Sequence, residues 1–270
     1  GSGATSINDL SDGTTFGSQN VGLGSSTLSS LTSGGSNSAL GYQTLQKNTT
    51  GDENTALGTG ALYNNTTGAE NTALGAWSLF NNTTGNYNTA SGIYTLNHNT
   101  TGISNTASGT LALEKNTTGN YNTATGANTL QSNTTGSNNT ASGYEALRYN
   151  TTGQQNTASG AYTLLANTTG GYNTASGAYA LWANTIGDFN IAVGYQSLNS
   201  NTSGDSNIGI GIGAGGGIVT GSNNTIIGGV AGTSALSSTV LIAAGTTERL
   251  KVDASGLSIN GVPFNLNSAE

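Results

Sequence analysis

The chain lacks the residues on which several kinds of chemistry depend. It has no cysteine, which excludes disulfides, thiol nucleophiles, cysteine-ligated zinc and iron–sulfur clusters. Its single histidine, His98, excludes a multi-histidine metal site within one chain. Charged residues make up only 6% of the 270 residues, whereas about 25% is usual in globular domains. We therefore expect no catalytic residues, no cofactor and no metal site.

Charge and hydropathy exclude two further classes of partner. Five Lys and Arg against twelve Asp and Glu give a net charge of −7, which does not suit a protein that binds phosphate backbones. No apolar run approaches the roughly 18 residues of a membrane span. Residues 1–13 have neither the basic stretch nor the apolar core of a signal peptide, and we interpret them as a linker or tag remnant. The sequence predicts no nucleic-acid partner and no membrane insertion.

A repeat of 17 residues fills the chain from residue 14 to residue 234. The block Asn48-Thr49-Thr50-Gly51 recurs at this spacing, and extending its frame gives thirteen copies without an insertion. The copies begin at residues 14, 31, 48, 65, 82, 99, 116, 133, 150, 167, 184, 201 and 218. Numbered within each copy, positions 4 and 11 are always Gly and position 7 is always Asn. Position 9 is mostly Ala, and position 15 is Leu in the first eleven copies.

This pattern predicts a β-solenoid. Two invariant glycines indicate two tight bends in each copy, and no stretch between them is long enough for a helix. Short alternating stretches such as 139–142 indicate strands, so we expect two short strands and two bends in each coil. The predicted fold is all-β, a β-solenoid or β-roll of about thirteen coils over residues 14–234. A short β-hairpin segment is predicted over residues 235–270.

The invariant asparagine at position 7 has two structural interpretations. Identical side chains stacked in register can form a hydrogen-bonded ladder from coil to coil. Alternatively, asparagine serves a bend because it tolerates a positive φ.

The sequence also predicts that several chains associate. One coil buries only a Leu and one or two Ala, so a coil on its own is not stable. Positions 8 and 10 flank the small residue at position 9 and point the other way. They are Thr and Ser in the middle copies but apolar at both ends, as in Val21/Leu23 and Ile208/Ile210. If position 9 faces the interior, a parallel homotrimer would cover this outer face; with positions 8 and 10 inside the coil, no such face exists.

Two segments carry a resemblance to known families. Asn190-Ile191-Ala192-Val193-Gly194 and Asn207-Ile208-Gly209-Ile210-Gly211 resemble the head repeats of trimeric autotransporter adhesins, which are left-handed β-rolls with three chains side by side. The N-T-T-G and N-T-A-x-G series resembles repeats of phage tail fibres, especially those that end in an intramolecular chaperone. The run over residues 238–261 is similar to the segment before such a chaperone. The resemblance implies a homotrimer, an extracellular location in a virion tail fibre or cell-surface appendage, and attachment to a host.

The aromatic residues are the candidate receptor-binding residues. They avoid the invariant positions and recur at positions 6, 13 and 16, where stacked copies would align them in exposed stripes. Exposed Tyr and Trp suit contact surfaces, and sugar rings can lie on them. Alternatively, they pack across subunit grooves or shield the backbone. The candidates are Tyr63, Trp77, Phe80, Tyr87, Tyr94, Tyr121, Tyr162, Tyr172, Tyr179 and Trp182.

Three other motifs have structural interpretations. The string from Gly211 to Gly216 matches G-x-G-x-x-G, but no helix pattern follows it, so a nucleotide site is not expected. The acids at position 5, Asp52, Asp188 and Asp205, are interpreted as solvated side chains rather than calcium ligands. The sequon Asn48-Thr49-Thr50 and its copies are interpreted as bend sequence.

The function expected from these patterns is that of a non-enzymatic fibre or adhesin segment. It would give mechanical reach and would bind a host surface receptor, with glycans as the expected class. An alternative is an ice-binding module that uses the Thr and Ser rows at positions 8 and 10, such as Thr106 and Ser108. A further alternative is a purely structural extracellular filament subunit.

Overall fold

A computed structural model gives the fold over residues 19–264. These residues contain β-strands and turns but no helix. The chain divides into two compact units, residues 1–138 and residues 139–270. The predicted linker at residues 1–13, the start of the first repeat and residues 265–270 lie outside the described residues.

The first unit is a stack of short parallel strands. Each strand has three residues, and neighbouring strands within the unit pair at a spacing of 17 residues, as Thr106 pairs with Thr123. The strands are β1 (Val21–Leu23), β2 (Ser38–Leu40), β3 (Thr55–Leu57), β4 (Thr72–Leu74), β5 (Thr89–Ser91), β6 (Thr106–Ser108) and β7 (Thr123–Thr125).

The second unit continues the same repeat and ends in antiparallel strands. Its parallel strands are β8 (Thr140–Ser142), β9 (Thr157–Ser159), β10 (Thr174–Ser176), β11 (Ile191–Val193), β12 (Ile208–Ile210), β13 (Thr225–Ile227) and β14 (Val240–Ala244). Three antiparallel strands follow: β15 (Thr247–Asp253), β16 (Gly256–Ile259) and β17 (Val262–Phe264). The predicted β-solenoid of about thirteen 17-residue coils, with a β-hairpin segment at its C-terminal end, is confirmed.

Each coil has one strand, where the sequence analysis predicted two. The strand occupies positions 8–10, and in the first twelve copies positions 12–17 form turns. Positions 6, 13 and 15 have positive φ values, for example 57° at Tyr121, 60° at Leu111 and 51° at Leu113. Left-handed residues cannot belong to an extended strand. A second strand is therefore excluded by backbone conformations that the composition of these positions does not reveal.

The two invariant glycines are required for different reasons. At position 11, Gly109 has a φ of 131°, which side chains rarely adopt. At position 4, Gly102 does not have a positive φ, but a Cβ there would lie 2.4 Å from Asn99 Oδ1 and 2.5 Å from the carbonyl oxygen of Gly119. The prediction of a bend that only glycine fits therefore holds for position 11. Close contact between successive coils requires glycine at position 4, and it adds to the φ requirement at position 11, where a Cβ on Gly109 would lie 2.5 Å from the carbonyl oxygen of Gly126.

The interior of a coil contains asparagine as well as aliphatic side chains. Ala107, Ala112 and Leu113 form the apolar part in one coil, and Asn105 and Asn116 lie beside them, all of them at most 1% exposed. Buried amides are tolerated only when their polar atoms are hydrogen-bonded. The core therefore depends on the partners of these asparagines.

The asparagines at position 7 form the predicted ladder. Asn105 donates from its backbone N–H and from Nδ2 to Oδ1 of Asn88, at 3.0 and 3.1 Å. Its Nδ2 also donates to the carbonyl oxygen of Gly119 in the next coil, at 2.9 Å. None of these asparagines has a positive φ. The residue with a positive φ is the one before each of them, at position 6. The interpretation as bend chemistry is therefore wrong for position 7.

A second asparagine ladder, at position 1, was not predicted. Asn116 donates from Nδ2 to Oδ1 of Asn99 at 2.8 Å and to the carbonyl oxygen of Gly119 at 3.0 Å. The ladder ends at Asn201, whose buried Oδ1 has no hydrogen-bond partner, because the next copy has Ile218 at this position. The signal was Asn at position 1 in ten consecutive copies. Nine of these asparagines begin an N-T-T or N-T-S sequon, the exception being Asn184 in N-T-I, and all ten are fully buried.

Candidate binding surfaces

The outer face of the parallel sheet consists of positions 8 and 10. In β6 the side chains of Thr106 and Ser108 are exposed, and Ala107 between them is buried. The same alternation recurs in the other three-residue strands. The orientation with position 9 inside the coil is therefore confirmed, and the opposite orientation is wrong.

This outer face is apolar in part of each unit. In the first unit Val21, Leu40, Leu57 and Leu74 are 38–50% exposed. They line a shallow depression of about 270 Å³. In the second unit, the apolar outer residues with 39–41% exposure are Ile191, Val193, Ile210 and Ile227. In-register pairing places these side chains in rows, so the exposed apolar surface is continuous within each unit.

Hydroxyl groups replace the apolar side chains further along the face. In the first unit Thr89, Thr106 and Thr123 pair directly from strand to strand, and Ser91 and Ser108 form a parallel row. The Thr side chains of this row are exposed. The result is a regular array of hydroxyls on a sheet.

Four candidate receptor-binding residues form one aromatic cluster in the first unit. The rings of Tyr63 and Phe80 stack with centroids 4.9 Å apart, and Trp77 meets Phe80 edge-on at 5.1 Å. Trp77 also stacks with Tyr94 at 6.5 Å. Tyr94 is exposed, whereas the other three rings are half-buried against one another. Positions 13 and 16 thus form one surface rather than two separate stripes.

A second aromatic row lies in the second unit. Tyr162 and Tyr179 stack at 5.0 Å, Tyr144 meets Tyr162 edge-on at 5.4 Å, and Tyr195 meets Tyr179 edge-on at 6.1 Å. Tyr144 and Tyr195 occupy position 12, which the sequence analysis missed. Tyrosine recurs at position 12 in Tyr42, Tyr144 and Tyr195, and this recurrence is the sequence signal that would have indicated them.

Trp182 lies beside this row in a shallow depression. The depression measures about 220 Å³ and is lined by Tyr179, Trp182, Gln196 and Asn199. The indole is 44% exposed. An accessible aromatic face and two amide side chains therefore converge at one place.

The aromatic residues at position 6 stand apart. Tyr172 stacks with Phe189 at 4.8 Å, and no ring contact joins position 6 to positions 13 or 16 in the part of the chain that the structure describes. Tyr121 is 57% exposed. Tyr87 is also exposed, and the neighbouring Glu70 carboxylate raises its pKa by charge repulsion and by accepting a hydrogen bond. The ten candidates therefore belong to different surfaces.

A groove on the first unit was not predicted. Its volume is about 520 Å³. Its walls come from positions 17 and 2 of successive coils, and the lining residues are Lys47, Asn64, Asn81, His98, Thr66, Thr83, Thr100 and Thr117. No sequence pattern indicates this groove, because its shape depends on the turns between position 15 and the next position 4.

The remaining motifs have structural roles. The Oδ1 atoms of Asp52 and Asp188 accept hydrogen bonds from the backbone N–H of the preceding coil at 2.7 and 2.6 Å, and Oδ1 of Asp205 does so at 2.8 Å. Over residues 19–264 no group of three or more His, Asp or Glu is placed to hold a metal ion. After β12, the glycine-rich string continues into turns.

Comparison with known proteins finds no family model, no curated protein and no solved structure that matches this chain. The fold defines the chain as a parallel β-solenoid repeat protein. A search of the described residues finds no helix that is long and apolar enough to cross a membrane.

Proposed function

We propose that the chain is a structural and receptor-binding segment of a homotrimeric fibre or adhesin, extracellular and carried on a virion tail or a cell surface. It attaches to a host cell through surface glycans and has no enzymatic activity. The observation that supports this proposal most directly is the exposed apolar part of the outer sheet face.

The apolar face supports association of identical chains. Leu40, Leu57 and Leu74 are 38–50% exposed, and the strands that carry them are in register. Apolar patches of this kind on soluble proteins mark interaction sites. Parallel copies that pack along this face would remove the apolar rows from water and leave the aromatic clusters, on other positions of the coil, accessible.

Native mass spectrometry tests the trimer. We expect three chains for the wild type and a folded monomer for the triple variant Leu40→Ser, Leu57→Ser, Leu74→Ser. The matched control is Ile93→Ser, because Ile93 is 50% exposed but lies at position 12 rather than on the outer sheet face. A monomeric wild type at micromolar concentration contradicts the trimer, and an open-ended polymer favours the structural filament.

The depression around Trp182 supports glycan binding. Aromatic faces suit stacking with sugar rings, and well-placed amides give orientation through hydrogen bonds. A trimer presents each such site three times, so weak contacts combine into useful avidity.

A glycan array tests this binding. We expect Trp182→Ala to lose glycan binding and Ile212→Ala to retain it. Ile212→Ala is the control because it removes an apolar side chain that is 74% exposed in the same unit. Equal binding by both variants contradicts a role for Trp182. Failure of the wild type to bind any glycan contradicts glycan recognition.

Ice binding is the second candidate, and the in-register hydroxyl rows favour it. Thr89, Thr106 and Thr123 form an exposed, in-register array. Thermal hysteresis at micromolar protein, lost in Thr106→Val, would favour this function. Absence of hysteresis from a trimer that covers these rows would eliminate it.

A further inference from the structure

We propose that the groove of the first unit, between Lys47 and His98, binds a chain of acidic sugars through carboxylate or sulfate groups. This inference rests on the proposed glycan-binding function and assigns the chemical class of glycan to a particular site.

The groove follows the stacking direction of the coils. One wall is formed by position 17, where Lys47, Asn64, Asn81 and His98 succeed one another, and the other by threonines at position 2. The threonine hydroxyls donate to backbone carbonyls of the next coil, as Thr66 does to Thr83 at 3.0 Å. Their methyl groups therefore line the groove, which presents polar groups on one side and small apolar groups on the other.

The polar wall presents mainly donors. Lys47 Nζ donates to Oδ1 of Asn64 at 2.8 Å, and Asn64 Nδ2 donates to Oδ1 of Asn81 at 3.0 Å. Each of these amide oxygens already accepts one hydrogen bond from a neighbour within the row. Lys47 has two further N–H donors, and the amide of Asn81 has both of its own. The groove therefore offers mainly donors, which suit a ligand with acceptor oxygens.

The charge of the groove also selects an anion. No acidic side chain lines it, although the whole chain carries a net charge of −7. Lys47 and Lys115 are the only cationic residues up to residue 138, and both occupy position 17. The acidic residue that contacts His98 is Glu114. Its backbone carbonyl oxygen lies 3.2 Å from His98 Nδ1, and its carboxylate accepts a hydrogen bond from Gln131. The row at position 17 thus concentrates positive charge on an acidic protein.

The aromatic cluster borders the groove. Lys47 Nζ lies 5.0 Å from the centroid of the Tyr63 ring, and Tyr63 stacks on Phe80. A sugar ring that lies against this cluster places its acidic substituent near Lys47, since Lys47 contacts both the ring and the groove. Cation, amide donors and ring faces together match an acidic oligosaccharide better than a neutral one.

Calorimetry or surface binding with three tetrasaccharides tests the proposal: a heparin-derived sulfated one, a galacturonic acid one and neutral cellotetraose. We expect at least one acidic tetrasaccharide to bind more tightly than the neutral one, with affinity that falls as salt rises. Lys47→Ala should weaken this binding about fivefold, the loss of one exposed charge contact. Asn81→Asp should weaken it further, because it exchanges two donors for a negative charge.

The matched control is Lys115→Ala, which removes a cation from the same row outside the groove lining. It should change affinity less than twofold, about the scatter of remote surface substitutions. Melting curves of Lys47→Ala and Lys47→Gln check that the coils remain folded.

The outcomes separate the groove from the wider function. Equal affinity for acidic and neutral sugars, no effect of Lys47→Ala, or an equal effect of Lys115→Ala overturns the groove proposal. If neutral glycans still bind in a Trp182-dependent manner, the proposed function stands without the groove. If no glycan binds at all, both fail. Preference for the uronate or for the sulfate identifies the acidic group, and either supports the groove.

Discussion

The side-chain oxygen of Asn105 accepts two hydrogen bonds from Asn122, one from its backbone N–H at 3.0 Å and one from its side-chain amide at 3.1 Å. Both residues are fully buried. Within each unit, an asparagine inside the ladder therefore donates to the coil before it and accepts from the coil after it. A residue without an amide at this position removes buried hydrogen bonds to both neighbouring coils.

Asn105→Ala should destabilise the protein strongly. The substitution removes the acceptor of the buried Asn122 backbone N–H, and it removes one of the two hydrogen bonds to Asn88 Oδ1 and to the carbonyl oxygen of Gly119. We expect a loss of about 3 kcal/mol in the free energy of unfolding, since a buried polar group left unsatisfied costs about 1–3 kcal/mol and each further lost hydrogen bond about 1 kcal/mol. Urea denaturation measures it.

The control for this substitution is Thr106→Ala, on the exposed side of the same strand. It should change the free energy of unfolding by no more than about 0.5 kcal/mol, as is usual for exposed sites. Equal losses for the two variants would show that the ladder does not stabilise the fold.

Gly102→Ala should be much more costly than Gly213→Ala. A Cβ on Gly102 would lie 2.4 Å from Asn99 Oδ1 in the same coil and 2.5 Å from the carbonyl oxygen of Gly119 in the next coil. This overlap forces the coils apart and costs about 3 kcal/mol. Gly213 has a φ of +66° and open space around a Cβ, so alanine there costs about 1 kcal/mol of backbone strain. Thermal unfolding compares them, and a larger effect at Gly213 would refute the close-contact explanation.

The carboxyl group of Asp253 should titrate at unusually low pH. Hydrogen bonds from Lys251 and Ser255 lower its pKa from 3.8 to about 2, with Lys251 Nζ 2.7 Å from Oδ2. Because the folded-state pKa is below the ordinary value, the stabilisation is present above about pH 4 and is lost as the pH falls through about 2. NMR titration of the Asp253 carboxyl carbon measures this midpoint.

Substitution of the partner checks the cause of this shift. In Lys251→Met the midpoint should return toward 3.8, and in Ser255→Ala it should move less, because the Lys251 contribution is the larger one. A wild-type midpoint near 3.8 would show that the contact between Lys251 and Asp253 is not formed in solution.

Removal of one whole repeat should be tolerated. Deletion of residues 99–115 joins position 17 of one copy to position 1 of a later one, so the ladder asparagines on both sides of the junction keep an asparagine as their neighbour. We expect the unfolding midpoint to stay close to that of the full chain. Deletion of residues 99–114 leaves one coil of 18 residues that cannot match its neighbours, and should lower the midpoint. Similar midpoints for the two deletions would contradict the strict register.

The sequence was sufficient for the 17-residue register, which follows from which residues recur. For the ladder at position 7 and the outward direction of positions 8 and 10 it left two alternatives, and the structure decided between them. The single strand in each coil did not follow, because Leu113 and its equivalents adopt a left-handed conformation that their residue type does not announce. The groove beside Lys47 was missed for the same reason, since its walls are built by those turns.

Burial of the asparagine at position 1 has a practical consequence. Asn116 and its equivalents other than Asn184 begin N-x-T or N-x-S acceptor sequons, yet they are buried inside the coil. A eukaryotic secretory pathway that attaches oligosaccharides to a nascent chain at such sequons would place a bulky group on residues that have no access to solvent after folding. Recombinant production in a bacterial cytosol avoids this conflict.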